Sequence, residues 1–207
     1  MPKRKRSKAQ ELKGRRTAFR EPGKVILIVC EGGETEPIYF KQLRYKLGLN
    51  PKSIHVEADC GNAPINVVDR AIELEKAKGI NYDQIWCVFD TEEKGKNSTL
   101  LAAKDKAEAH KFCLAISNPC FEQWFLLHYE NTARPFIKCA EVESYLKHNH
   151  LSHYDKSKPP VDDLFQKLDT ALANAKILRA ARKSSGDDVL SSTMTNVDLL
   201  VKQLKAL

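Results

Sequence analysis

From Lys24 onward the chain alternates between short, nearly unbroken apolar runs and longer segments whose apolar residues recur every three or four positions. KVILIVC (24–30) and QIWCVF (84–89) are rich in β-branched and aromatic residues and show no polar face. Runs of that kind read as strands buried on both faces of a parallel sheet. SIHVEA (53–58) alternates and predicts a weaker strand, and FCLAIS (112–117) a fourth. TEPIYFKQLRYKLG (35–48) carries Phe40, Leu43 and Leu47 at helical spacing, with Thr35 as the expected N-cap and Gly48 as the stop. APINVVDRAIELEKAKG (63–79) predicts a helix with Ile65, Val68 and Ile72 on one face. Its proline stands early, where a missing N–H costs little. STLLAAKDKAEAHK (98–111) is helical by propensity. Asn118 and Pro119 predict the cap and first residue of a helix over CFEQWFLLHY (120–129).

Strand and helix in alternation imply right-handed βαβ units and a mostly parallel sheet, with strands 24–30 and 84–89 side by side. The C-terminal part reads as helices over 140–148, 161–182 and 195–207, the last opened by a capping box of Thr195 and Asp198. A loop (151–160) separates the first two, and no internal repeat is present. The fold class expected is therefore α/β. A sheet core (24–135) is flanked by helices, a helical part (136–207) packs on it, and a basic tail (1–23) precedes both.

Composition adds a soluble, cytoplasmic expectation. Apolar residues make up 42% of 207, enough for a core, and no run approaches the roughly 18 to 20 apolar residues of a membrane span. A secretory signal is not expected, because no apolar run follows the basic N-terminus. The six cysteines lack C-x-x-C spacing, and several lie inside apolar runs, so they read as reduced core thiols. The net charge of +7 belongs to the tail: residues 1–24 hold ten Lys or Arg and two acids, a local +8, which leaves −1 for the rest. Lys3, Arg4, Lys5 and Arg6 head this segment, whose composition predicts disorder. It reads equally as a phosphate-binding arm for nucleic acid or as a solubilising or targeting tail.

Ligand sites of open parallel sheets form at the C-terminal strand ends. The first strand ends in Glu31-Gly32-Gly33-Glu34, the third in Asp90-Thr91-Glu92-Glu93, and the fourth in Ser117-Asn118-Pro119 with Glu122 a turn later. Carboxylates gathered at one edge from separate strands make a hard oxygen site suited to Mg²⁺ or Mn²⁺, which can clamp a phosphodiester. The alternative is that these acids are solvated loop residues. Gly32 and Gly33 read as permitting a sharp strand-to-helix turn, since both the Walker lysine and the G-x-G-x-x-G spacing are lacking. His128 reads as a hydrogen-bonded structural histidine supporting this region. His148, His150 and His153 read as an exposed helix end.

ILIVCEGGETEPIYF, WCVFDTEE and ISNPCFEQWFLLHY, with Tyr154 and Lys156 of YDK and the terminal STMTNVDLLVKQL, resemble the RloB-type abortive-infection family over roughly residues 24–207. That family is similar to Toprim domains. The resemblance implies that Glu31 matches the Toprim glutamate and Asp90 the first acid of its D-x-D element. Glu92 then stands at the second position, where aspartate is usual. It further implies a metal-dependent nuclease, on RNA (tRNA among the candidates) rather than DNA, acting as the toxic effector of an anti-phage system beside an ABC-type ATPase. In that reading Asp90 and Glu92 hold Mg²⁺, while Glu31 binds metal or acts as general base. Glu122 supports the site beside Glu34, Asn118 caps its helix, and the tail with Lys156 and Lys158 holds phosphates. A homodimer is compatible with this. The rival from another class is a non-catalytic subunit that binds nucleic acid or the ATPase, and a phosphotransferase acting on small molecules is a third.

Overall fold

The computed structural model describes residues 23–61, 63–77, 79–91 and 98–207. The first two βα units are β1 (Ile26–Cys30), α1 (Thr35–Lys46), β2 (Ile54–Glu57) and α2 (Pro64–Lys76). They are followed by β3 (Gln84–Asp90), α3 (Ser98–Ala109), β4 (Cys113–Asn118) and the short α4 (Glu122–Leu126). The last third contributes α5 (Cys139–Asn149), α6 (Val161–Gln166), α7 (Leu168–Ser184), β5 (Met194–Thr195) and α8 (Val197–Lys205). The sheet order is β2-β1-β3-β4-β5. The first four strands are parallel, and β5 closes the edge antiparallel to β4.

All five residues of β1 are buried, because successive side chains enter opposite faces and both faces are covered. Ile26, Ile28 and Cys30 join Trp86 and Val88 of β3 beneath α1, α4, α5, α7 and α8. Leu27 and Val29 join Ile85, Cys87 and Phe89 beneath α2 and α3. The result is three layers, helices over sheet over helices. The unbroken apolar runs of β1 and β3 follow directly from this double coverage. Tyr39, Phe40, Phe121 and Phe125 pack edge-on or tilted in the first layer, with centroids 5.3–5.8 Å apart, and Trp124 Nε1–H donates to Tyr39 Oη at 2.8 Å.

Several termini differ from the sequence reading. Glu34, not Thr35, holds the N-cap position of α1 and makes no side-chain cap bond. The Thr35 hydroxyl instead donates to the Lys156 carbonyl at 3.3 Å. Gly48 does end the helix, at φ +68°, where only glycine is unstrained. Asn118 does not cap α4. It extends β4 opposite Met194, and its amide donates to the Val189 carbonyl at 3.0 Å. The helix expected over 120–129 is regular only over Glu122–Leu126. Its two ends tighten into i→i−3 bonds, such as Gln123 N–H to the Cys120 carbonyl at 3.0 Å and Tyr129 N–H to the Leu126 carbonyl at 2.9 Å.

The single helix expected over 161–182 is two, broken at Lys167. The capping box of Thr195 and Asp198 does not form. Thr195 is committed to β5, Asn196 takes the N-cap, and Asp198 turns to Arg179 with two bonds of 2.6 Å. Among the described residues no helix is long and apolar enough to cross a membrane.

Candidate metal centre at the strand ends

β1 and β3 are parallel neighbours, with Cys30 opposite Val88. The ladder continues one step beyond β1, through Glu31 N–H to the Val88 carbonyl at 3.0 Å. That step sets Glu31 beside Asp90, and the Glu31 Oε2 accepts the Asp90 backbone N–H at 3.3 Å. Asp90 stands opposite Ser117 at the end of β4. The next residues of that chain turn Phe121 and Glu122 back over the same edge. A cleft of about 430 Å³ results, lined by Glu31–Glu36, Asp90, Phe121, Glu122 and Lys156.

Among the described residues five acidic side chains line the cleft: Glu31, Glu36, Asp90 and Glu122, with Glu34 at its exposed rim. Asp90 Oδ1 is buried and has no hydrogen-bond partner among the described residues. Burial, reinforced by the charges of Glu36 and Glu122, holds the Asp90 carboxyl well above the usual carboxylate range. Glu122 is 2% exposed. Its Oε1 accepts the Tyr154 hydroxyl at 2.7 Å, and its Oε2 lies 3.6 Å from Cys139 Sγ. Burial and then the Glu122 charge raise the Tyr154 phenol, so it remains a donor. Lys156 brings the cleft its ammonium, 3.9 Å from Glu122 Oε1 and 2.8 Å from Glu143 Oε1. Burial works against that ammonium, but the bond to Glu143 and the Glu122 charge outweigh it, and its pKa is raised.

Glu36 is the cleft residue that the sequence reading missed. It is 8% exposed. Burial first, then the charges of Glu122 and Glu31, push it up to about 7 from 4.5. Gly32 explains how it fits. Neither Gly32 nor Gly33 has a positive φ, so the turn does not need their conformational freedom. A Cβ on Gly32, however, would stand 3.0 Å from Glu36 Oε2. Glycine there makes room for the carboxylate.

The remaining site candidates divide. Glu34 is exposed at the rim. Lys158 is exposed and does not line the cleft. His128 lies in the core, 1% exposed, with Nδ1 bonded to the Trp124 carbonyl at 2.9 Å. Burial lowers its pKa to about 4, so it is neutral near pH 7 and structural. His148 and His153 are exposed, whereas His150 stacks on Tyr129 at 4.8 Å. Glu92, Lys3, Arg4, Lys5 and Arg6 lie outside the described residues.

The raised Glu36 predicts a pH-dependent stability. The folded chain holds this proton more tightly than the unfolded one, so stability falls as pH rises from about 4.5 to about 7. The loss amounts to about 3 kcal/mol. Glu36→Gln should therefore gain up to that amount over the parent at pH 8 and little at pH 5. Denaturant melts at the two pH values measure this, and equal pH slopes for parent and variant would contradict it.

An α/β protein with an acidic cleft at the carboxyl edge of its parallel strands is the class that these features define. A family model described as RloB-like protein matches residues 26–204, and the chain belongs to the RloB-like family. No curated protein and no solved structure matches it.

Proposed function

We propose that the cleft binds Mg²⁺ or Mn²⁺ and hydrolyses phosphodiester bonds, RNA (tRNA among the candidates) being favoured over DNA, in the manner of a Toprim-type nuclease. The observation that carries this reading is the buried Asp90 Oδ1, without a hydrogen-bond partner among the described residues, beside Glu31, Glu36 and Glu122. Buried carboxylates that repel one another fit a hard divalent cation, which prefers oxygen ligands and removes the repulsion. Asp90 and Glu31 would hold the ion, with Glu92 completing the D-x-E pair. When bound, the ion supplies positive charge to the phosphoryl oxygens as the P–O bond breaks.

The chain's own side chains do the rest. Tyr154 fixes the orientation of Glu122 through its hydroxyl. Lys156 sets an ammonium at the cleft wall for a phosphate oxygen. Glu36, with a pKa near neutrality, is suited to accept the proton of the attacking water. The biological setting in this reading is anti-phage abortive infection, in the cytoplasm beside an ABC-type ATPase.

Incubating purified protein with total RNA tests it. Fragmentation should require Mg²⁺ or Mn²⁺, stop with chelator, and be lost in Glu31→Gln. Intact RNA and DNA with either metal, in the presence of the ATPase, would leave the protein as a non-catalytic binding subunit.

A further inference from the structure

Two thiols converge on Glu122 from distant parts of the chain. Cys120 lies in the turn between β4 and α4, and Cys139 opens α5. Their sulfurs and a Glu122 oxygen all lie within 4.8 Å of one another. Cys139 Sγ stands 3.6 Å from Glu122 Oε2 and 3.3 Å from Glu143 Oε1. In a tetrahedral zinc site, bonds of about 2.3 Å to sulfur and about 2.0 Å to oxygen set neighbouring ligand atoms roughly 3.5 Å apart. The two observed separations bracket that edge length.

We propose that Cys120, Cys139 and Glu122 form a binding site for a thiophilic divalent cation, Zn²⁺ above all, with Glu143 as the nearest further donor. Sulfur ligands set this site apart from the hard-ion edge, since Mg²⁺ and Mn²⁺ favour carboxylate and water over thiolate. No other group of three such donors converges among the described residues. Cys30 and Cys87 are spent in the sheet core on β1 and β3. Lys156 Nζ, 3.7 Å from Cys139 Sγ, would be repelled by the ion. Its side chain is 44% exposed, so it can swing into solvent as Glu143 turns to the metal.

Glu122 is common to both sites. Zinc on the thiols would draw that carboxylate out of the acidic cleft, so zinc should antagonise the hard cation. The binding claim stands without the hydrolytic reading, and only the antagonism rests on it.

Cobalt(II) is the probe, because thiolate ligation gives it an intense sulfur-to-metal absorption that an all-oxygen site lacks. Full-length protein, kept reduced and stripped of metal, is titrated with Co²⁺ and then with Zn²⁺. The band should saturate at one equivalent and be displaced by Zn²⁺. It should vanish in Cys139→Ser, a change at a half-buried position, and persist in Cys60→Ser and Asp90→Asn. Zn²⁺ affinity in Cys139→Ser should fall by more than the roughly 10- to 100-fold that loss of an outer-shell partner costs. Circular dichroism confirms that each variant is folded, and Cys139→Ala provides a second replacement. No sulfur-to-cobalt band, or a band that survives both Cys139 variants, would overturn the inference. A saturating band in a protein that cleaves no RNA upholds the zinc site while the nuclease reading fails alone.

Discussion

Asp90→Asn should abolish Mg²⁺ binding in the acidic cleft, and the RNA cleavage proposed to depend on it, while leaving the metal-free fold as stable as the parent or more so. The substitution preserves the shape of the side chain and removes the charge that a hard cation needs. In the metal-free protein that charge is a liability. It is raised well above the carboxylate range by burial and by Glu36 and Glu122. Ionising it costs stability as pH rises out of that range, and asparagine escapes the cost. The parent should gain about 2.7 kcal/mol with Mg²⁺ at a hundred times its dissociation constant, or roughly 5–10 °C in Tm for a domain of this size. The variant should gain nothing. Thermal melts with and without Mg²⁺, alongside the RNA assay, read all three quantities. A variant that melts lower than the parent yet still cleaves RNA would mean that Asp90 serves a structural ion pair.

Arg179→Ala should be strongly destabilising although it lies outside the cleft, costing about 3–5 kcal/mol. Asp198 is completely buried at the start of α8. It takes two 2.6 Å bonds from Arg179 on α7 and one of 3.1 Å from Lys202. Removing the guanidinium leaves a buried carboxylate with Lys202 alone, so the lower end of that range is expected. The double variant Arg179→Met with Asp198→Leu should recover much of the loss, because no charge is then left to desolvate. Urea unfolding of parent, single and double variants gives the comparison. A loss under about 1 kcal/mol for Arg179→Ala would rank the pair with ordinary surface bridges.

The sheet was legible where one cause acts on a whole segment. Double coverage leaves β1 and β3 without a polar face, and that same pattern places Glu31 and Asp90 at one edge. What stayed hidden depended on contacts between distant segments. β5 is two residues long, too short for any period to register. Asp198 read as a local cap, because nothing in sequence ties it to Arg179 on another helix. Glu36 was masked by its neighbour Thr35, which looked like the helix cap. Tyr154 reaches Glu122 from a loop 32 residues away, and a polar loop has no periodicity that could aim it.

The order in which the cleft's parts occur along the chain has a consequence for its assembly during synthesis. Glu31, Glu36, Asp90 and Glu122 all emerge before Glu143, Tyr154 and Lys156. The mutually repelling charges are therefore made well ahead of the phenol and ammonium that answer Glu122. The outer edge of β4 waits longer still, since Ser117 pairs with Thr195, 78 residues on. Closing so long a loop is slow relative to local helix formation, and an open strand edge invites pairing with other chains. A nascent chain thus carries its acidic edge complete in charge but incomplete in structure until β5 and α8 have emerged.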